Sequence, residues 1–312
     1  MPRIVTLGEI LVEMVATIPD QGFRRPGTFA GPYPSGAPAI FIDQAARMGA
    51  STAMLGCVGA DDFGRCVLDR LSRDGVDVGR IRAVPDVATG IAFVSYNSDG
   101  SRGFIFHMGN SAAGRLAPDD IDAAAFKDCQ ILHIMGSSLF SPEMGEVVRR
   151  AVALATAAGA KLSFDPNVRV ELLNRPGNAA LIEELAVRAD ILLPSEADLN
   201  FLRPGLGAEE AARALLRGRA EYVFLKRGAA GSTYLDRATT IEAPAFAVTE
   251  IDPTGAGDCA GATFVACMLE GRPPEEAARR ANAAGALAVT KRGPMEGNST
   301  PAELDAFLAG RH

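Results

Sequence analysis

The chain has 312 residues, of which 48% are hydrophobic and 22% are charged, a composition typical of a globular protein with a large core. Its 31 basic and 38 acidic residues give a net charge of −7, which argues against sequence-independent binding of nucleic acid. The five cysteines lie among apolar neighbours without metal-site spacing, so we predict reduced thiols and a cytoplasmic location. No apolar segment predicts a signal peptide or a membrane span, so we expect no membrane partner.

The first third of the chain predicts two different kinds of structure. Strands at 3–7 and 51–58 and helices at 37–48 and 62–74 alternate as in an α/β layer. Residues 10–18 are extended, residues 19–36 are irregular or edge-like, and two extended runs at 90–96 and 102–107 are joined by the turn sequence Asn97-Ser98-Asp99-Gly100. We expect the hairpin and the early extended segment to form a small separate sheet.

From residue 130 onward the sequence alternates regularly between apolar strands and helices. Strands are predicted at 131–135, 161–164, 190–193 and 222–226, and helices at 142–158, 179–188 and 208–217, with Ser195 capping a short helix. Continuous apolar strands separated by helices indicate a parallel sheet that is covered on both faces. Ligands of such sheets bind beyond the carboxyl ends of the strands, where we expect four loops to converge: 165–167, 194–196, 226–228 and 251–258.

The last of these loops, Ile251 to Asp258, carries the clearest chemical signal. Small residues connect a strand-like run (246–251) to an apolar run (259–269) that predicts a buried helix. A glycine turn that opens a helix presents unpaired N–H groups to an anion, and Asp258 would stand beside that anion as a proton acceptor. The same residues would also suit close helix packing, with Asp258 as a simple cap.

Two common phosphate-binding patterns do not fit this chain. The sequence has no GxxxxGK[ST] P-loop, and Gly255, Gly257 and Gly261 have the wrong spacing and position for a Rossmann dinucleotide site. A dehydrogenase is therefore not favoured.

Several ordered motifs resemble those of the ribokinase-like (PfkB) carbohydrate kinases, and the resemblance covers essentially the whole chain. DPTGAGD (252–258) and GCVGADDFG (56–64) match the two family signatures, and FDPNVR (164–169), LPSEAD (193–198) and LKRGAAG (225–231) follow in the family's order. The closest pattern is that of the branch of fructokinases, tagatose kinases and 2-keto-3-deoxygluconate kinases. The resemblance implies a three-layer α/β/α fold with a mostly parallel sheet, formed as a single domain over 1–312 with a β-lid from about 10–34 and 89–109.

The resemblance also implies roles for individual residues. Asp258 would be the catalytic base, and the amides of Gly255, Ala256 and Gly257 would form the anion hole. ATP and Mg²⁺ would be the cofactors, with K⁺ held in several members at the positions of Asp252 and Thr254. The nucleotide would contact Ser195, Lys226, Gly228, Gly231, Gly255, Gly257 and Asn282. The lid would close over a small sugar and form a homodimer contact.

The sugar-binding positions depart from the family pattern. The resemblance assigns them to Glu9, Glu13, Gly36, Ala37, Ile40, Phe106, Met108, Arg169 and Asp258. Ile40 stands where many members have a sugar-binding asparagine, and Met108 stands where 2-keto-3-deoxygluconate kinases have an arginine for the substrate carboxylate. Ser195 and Asp198 replace the Asn and Glu of a family motif. His107 is interpreted either as a sugar contact or as a structural lid residue, and His133 as a core residue.

These patterns predict an ATP-dependent kinase that phosphorylates a hydroxyl of a ketohexose, tagatose- or fructose-like. A 2-keto-3-deoxygluconate kinase is the alternative within the enzymes, because Arg169 could bind a carboxylate. A catalytically silent sugar-binding regulator is the alternative of another class, and a nucleoside kinase is a weaker option.

Overall fold

A nine-stranded sheet forms the centre of the molecule, a computed structural model that describes residues 3–168 and 177–310. The strands in chain order are β1 (Ile4–Leu7), β2 (Leu11–Ala16), β3 (Phe29–Ser35), β4 (Thr52–Gly59), β5 (Val76–Val84), β6 (Gly90–Tyr96), β7 (Arg102–His107), β8 (Ile131–Met135), β9 (Lys161–Asp165), β10 (Ile191–Leu192), β11 (Tyr222–Lys226), β12 (Ser232–Asp236) and β13 (Thr240–Ala243). The large sheet has the order β13-β12-β11-β10-β9-β8-β1-β4-β5, parallel from β11 to β5 and antiparallel at β12 and β13. The predicted parallel sheet is thereby confirmed.

Helices cover both faces of this sheet. They are α1 (Ala37–Arg47), α2 (Asp62–Arg73), α3 (Pro142–Ala157), α4 (Asn178–Arg188), α5 (Glu196–Leu202), α6 (Ala208–Leu216), α7 (Ala256–Leu269), α8 (Pro274–Ala288) and α9 (Pro301–Ala309). Successive residues of β1 point to opposite faces, so Val5 joins a core with α3 to α6, while Ile4 joins a second core with α1, α2 and α7 to α9. The predicted three-layer α/β/α architecture is confirmed.

A separate four-stranded sheet, which we call the lid, has the order β3-β2-β6-β7. Strands β6 and β7 form the predicted hairpin, and β2 pairs in parallel with β6. Strand β3 contains Pro32 and Pro34, which cannot donate ladder hydrogen bonds, and it accordingly lies at the lid edge. The small sheet is as predicted, whereas the assignment of 1–312 to a single domain stays a prediction.

The central histidine illustrates how the core is filled. His133 on β8 is fully buried and its ring stacks on Phe41 of α1, with the ring centroids 3.5 Å apart. One ring nitrogen lies 2.9 Å from the Ser163 hydroxyl. Burial, with the nearby Lys226 charge, holds the pKa of His133 well below its ordinary value, so the ring is neutral. The predicted core role of His133 is confirmed.

One predicted element is wrong, and three observed strands were not assigned. The run from 246 to 251 is not a strand: it pairs with no strand among the described residues, and the Ile251 amide donates instead to the Val289 carbonyl at 2.7 Å. Strands β5 and β13 lack a clear apolar signal because they are edge strands with exposed polar positions, whereas β12 (STYLD) is a short buried strand that mixes polar and apolar residues. Across residues 3–168 and 177–310, no helix is long and apolar enough to cross a membrane. The cytoplasmic location stays a prediction.

Candidate active site

The predicted glycine turn opens helix α7 at the carboxyl side of the large sheet. Gly255 is the residue before the first helical turn and has φ of +83°, a conformation that side chains disfavour. Among the residues that the structure describes, no side chain caps this helix start, so the first amides of α7 are available to an outside acceptor. Asp258 lies in the same first turn and lines an adjoining cavity. The geometry therefore combines an uncapped helix start with a carboxylate, and anion binding at this turn stays a prediction.

Replacing Gly255 with alanine is expected to disrupt this turn. A Cβ at this position would lie 2.5 Å from the Pro294 carbonyl oxygen, a backbone atom that cannot move aside cheaply. Misplacement of the helix start by about 1 Å should lower kcat about a hundredfold. Steady-state kinetics with coupled detection of ADP would measure the loss.

The matched control is Gly271→Ala. Gly271 has a similar φ of +78° but has no atom within 4 Å of the added Cβ. It should lower the free energy of unfolding by about 1 kcal/mol and leave kcat unchanged. Equal kcat values for the two variants would contradict a requirement for the turn geometry.

A cavity of 310 Å³ lies between the lid and the carboxyl ends of the large sheet. The predicted sugar-binding residues that line it are Glu9, Glu13, Gly36, Ala37, Ile40, Phe106, Met108 and Asp258. Thr254, Gly255 and Gly257 of the glycine turn close its far end. Arg169 lies outside the described residues. The structure thus places residues from three distant parts of the chain around one cavity, while their roles stay predictions.

Two buried carboxylates form the polar side of this cavity. Each oxygen of Glu9 accepts a hydroxyl hydrogen bond of 2.7 Å, one from Ser137 and one from Ser138. Glu13 accepts a hydrogen bond of 2.7 Å from Ser35. Because a carboxylate oxygen has two acceptor positions, both groups can still accept sugar hydroxyls. No sequence motif predicts the two serines, although Ser137 and Ser138 follow the carboxyl end of β8, where ligand contacts are expected.

The β7 side of the cavity is apolar except for one cation. Phe104 and Phe106 stack with centroids 5.3 Å apart, and both line the cavity together with Met108. Arg102 also lines it, with its guanidinium carbon 5.5 Å from the Phe104 ring centroid. No sequence motif predicts Arg102 as a site residue. His107 is exposed and lies outside this cavity.

A second cavity, of 610 Å³, lies on the other side of the glycine turn. Of the residues predicted to contact the nucleotide, Lys226, Gly228, Gly231, Gly257 and Asn282 line it. The Asn282 amide donates to the carbonyls of Ala243 and Pro244 at 2.9 and 3.0 Å and so fixes one wall. The mostly apolar lining and the glycine edge are suited to a flat heterocycle beside a phosphate chain.

Two other predicted nucleotide contacts, Ser195 and Gly255, do not line the second cavity. Gly255 lines the first cavity, and Ser195 lines neither cavity. Ser195 caps α5: its hydroxyl donates to Asp198 at 2.6 Å, and the Asp198 amide lies 3.2 Å from the hydroxyl oxygen. The other Asp198 oxygen accepts a bond of 2.7 Å from the Val168 amide. The pair therefore holds the loop after β9, and a nucleotide role for Ser195 stays a prediction.

Lys226 and Asp165 form a buried ion pair where β11 and β9 end. The Lys226 ammonium donates to Asp165, whose side chain is 1% exposed. Burial alone would lower the pKa of Lys226, but Asp165 and Asp198 outweigh it, with a smaller contribution from Asp258, so the pKa is raised. Lys226 is therefore a fixed positive charge among three carboxylates.

The two cavities meet at a common wall. Lys226, Pro253 and Gly257 line both of them. A molecule in the second cavity that extends a phosphate toward this wall would reach the start of α7, on the side where Asp258 faces the first cavity. The arrangement can bring an acceptor hydroxyl, a base and a phosphate together.

Asp252, the predicted cation ligand, is buried behind this wall with 1% exposure. One oxygen accepts from the Tyr96 hydroxyl and from the Thr254 amide (3.0 Å), and the other accepts from the Gly293 amide (2.9 Å). Within the described ranges, no Lys or Arg forms an ion pair with it. No sequence motif predicts the contacts of Tyr96 and Gly293 with Asp252.

Comparison with known proteins identifies the family. The family model of the pfkB family carbohydrate kinases matches residues 1–301. This chain belongs to that family. Among curated relatives, fructokinase-1 of Oryza sativa subsp. japonica is 31% identical, with 97% of this chain and 96% of that protein covered. A 2-dehydro-3-deoxygluconokinase of Thermoproteus tenax is also 31% identical, with 99% and 94% covered.

Solved structures agree with this assignment. A ribokinase II from E. coli, in complex with ATP and Mg²⁺, is 44% identical over all of both chains, with a TM-score of 0.95. A double mutant of Vibrio cholerae fructokinase, bound to fructose, ADP and potassium, is 28% identical over 99% of this chain and 98% of that one, with a TM-score of 0.86. The chain is an ATP-dependent carbohydrate kinase, and the alternative of a silent regulator is set aside.

Proposed function

We propose that this kinase transfers the γ-phosphate of ATP to a hydroxyl of a neutral ketohexose, fructose- or tagatose-like. The observation that carries the proposal is the charge of the first cavity. The cavity is lined by the carboxylates of Glu9, Glu13 and Asp258, whereas Lys226 forms an ion pair with Asp165. An anionic sugar would be repelled by these carboxylates, while hydroxyl groups can donate to them.

In this proposal the base is Asp258. It would accept the proton of the attacking hydroxyl as the phosphoryl group moves across the common wall. The amides of Gly255, Ala256 and Gly257 would stabilise the negative charge of the transferred group, because they point at it before the reaction begins. Lys226 would add a fixed positive charge on the nucleotide side. Most of the rate enhancement would come from position and charge.

The cations would be held differently. Mg²⁺ would neutralise phosphate charge; among the residues that the structure describes, no cluster of three His, Cys, Asp or Glu side chains is suited to a metal, which fits binding through phosphates and water. Asp252 and Thr254 fit a monovalent cation, because the Asp252 carboxylate is buried and its three hydrogen-bond donors are all neutral. A homodimer through the lid, whose outer face exposes Ile105, is part of the same proposal.

Arg102 favours a second candidate, a 2-keto-3-deoxygluconate kinase. Its guanidinium is the lid cation that lines the first cavity, and a sugar carboxylate could pair with it. No other described lid residue that lines the cavity carries a positive charge.

A substrate panel separates the two candidates. We expect kcat/KM for fructose or tagatose to exceed that for ribose and 2-keto-3-deoxygluconate at least about tenfold, measured by ADP release. Arg102→Gln should leave the ketohexose value within about threefold, since its charge is not needed for a neutral sugar. A preference for the acid sugar that Arg102→Gln abolishes would overturn the proposal.

A further inference from the structure

The lid contacts the catalytic turn through the hydroxyl of one tyrosine. Tyr96 is the last residue of β6, and its hydroxyl donates to Asp252 and lies 3.2 Å from the Thr254 hydroxyl. The partners are more than 150 residues apart in the chain, and they belong to different sheets or loops. An ionised carboxylate can only accept hydrogen bonds, so the Tyr96 hydroxyl is the donor to Asp252.

The carboxylate that receives this bond connects two backbone segments. Asp252 accepts from the amide of Thr254, which directly precedes Gly255, and from the amide of Gly293. The Pro294 carbonyl, next in the chain after Gly293, lies against Gly255. Asp252 therefore sets the position of Gly255 from both sides. Any shift of its carboxylate would move the start of α7.

A second lid tyrosine contacts the same region without its hydroxyl. The Tyr33 ring of β3 lies against Gly293, where an added Cβ would come within 2.6 Å of a ring carbon. Within residues 3–168 and 177–310, no hydrogen bond of the Tyr33 hydroxyl is observed. The two tyrosines dock the lid on the Asp252 region, but only Tyr96 is bonded to the carboxylate.

We propose that Tyr96 is a positioning residue for phosphoryl transfer: with the lid docked, its hydroxyl fixes Asp252 and thereby aligns the amides of Gly255 to Gly257. The transfer site is then complete only when β6 lies against the turn. A sugar that draws the lid down would align the anion hole in the same movement. ATP alone would meet a less ordered turn, which would limit its hydrolysis by water.

The test compares Tyr96→Phe with the matched control Tyr33→Phe. The first variant removes the hydroxyl bonded to Asp252, and the second removes a lid hydroxyl without such a bond. For Tyr96→Phe we expect kcat to fall about tenfold to a hundredfold, the loss of one hydrogen bond to a charged group. The sugar KM and the Kd for ADP, measured by calorimetry, should change less than about threefold, because the ring still packs and the second cavity is untouched.

Hydrogen exchange provides a readout that does not depend on the sugar. In the ADP-bound protein, the amides of Thr254 and Gly293 should exchange faster in Tyr96→Phe, since their acceptor is no longer fixed, and at the wild-type rate in Tyr33→Phe. Wild-type exchange at these amides together with wild-type kcat in Tyr96→Phe would overturn the proposal. So would an equal loss of kcat in both variants, which would indicate lid packing alone. A failure of the ketohexose assignment would appear separately, as absent turnover of ketohexoses by the wild-type enzyme.

Discussion

Asp258→Asn is expected to lower kcat by about three orders of magnitude, within the range for loss of a positioned general base. Asparagine has nearly the same shape but does not accept the proton of the attacking hydroxyl. The second cavity and the helix start are unchanged, so the Kd for ADP should stay within about threefold. Rapid-mix turnover assays and calorimetry with ADP would measure both quantities.

A control separates the base from a simple helix-capping charge. Asp62 lies in the first turn of α2 as Asp258 lies in the first turn of α7, but it is exposed and is not among the residues that line the two cavities. Asp62→Asn should therefore leave kcat unchanged, and any stability loss should stay below about 1 kcal/mol. If Asp258→Asn kept near-wild-type turnover, Asp258 would not be the base.

The second large effect concerns stability. Lys226→Met should lower the free energy of unfolding by about 3–5 kcal/mol, because it leaves Asp165 buried without its ion-pair partner. Urea denaturation would measure this loss. Nucleotide affinity should also fall, since Lys226 lines the second cavity.

Two further variants test whether the loss of the buried ion pair causes this destabilisation. Lys161→Met breaks the pair of Lys161 and Glu221, whose side chains are 50% and 48% exposed, and should cost less than about 1 kcal/mol. The double variant Lys226→Met with Asp165→Asn should recover part of the stability, because no unpaired charge remains buried. If Lys226→Met were no more destabilising than Lys161→Met, the buried pair would not stabilise the fold.

The sequence predicts the repetitive parts of the fold well, because their signals are local. Helix α7 follows from an unbroken apolar run that ends at a glycine, and the β6–β7 hairpin from a turn sequence between two extended runs. Strand β5 was missed because its sequence, VDVGRIRAV, mixes charged and apolar residues at a sheet edge. The run 246–251 has the local pattern of a strand, yet it pairs with no strand in the part of the chain that the structure describes.

The active site likewise has parts that the sequence predicts and parts that it does not. The glycine turn and Asp258 are contiguous in the chain, so their chemistry is readable from the sequence. Ser137 bonds Glu9 across 128 positions, and Tyr96 bonds Asp252 across 156 positions. Such contacts depend on how the sheets pack, and no local sequence pattern predicts them.

The wall formed by Lys226, Pro253 and Gly257 has a practical consequence for inhibitor chemistry. Since both cavities open onto it, one compound could carry a sugar mimic and an adenine nucleotide joined by a short phosphate bridge. Once one half is bound, the other half would bind at a millimolar effective concentration. The affinity of the linked compound could then exceed that of either half alone by about a hundredfold or more. If the first cavity binds the sugar, as we propose, selectivity among related kinases would come from the sugar half, because Ile40 and Met108 line that cavity.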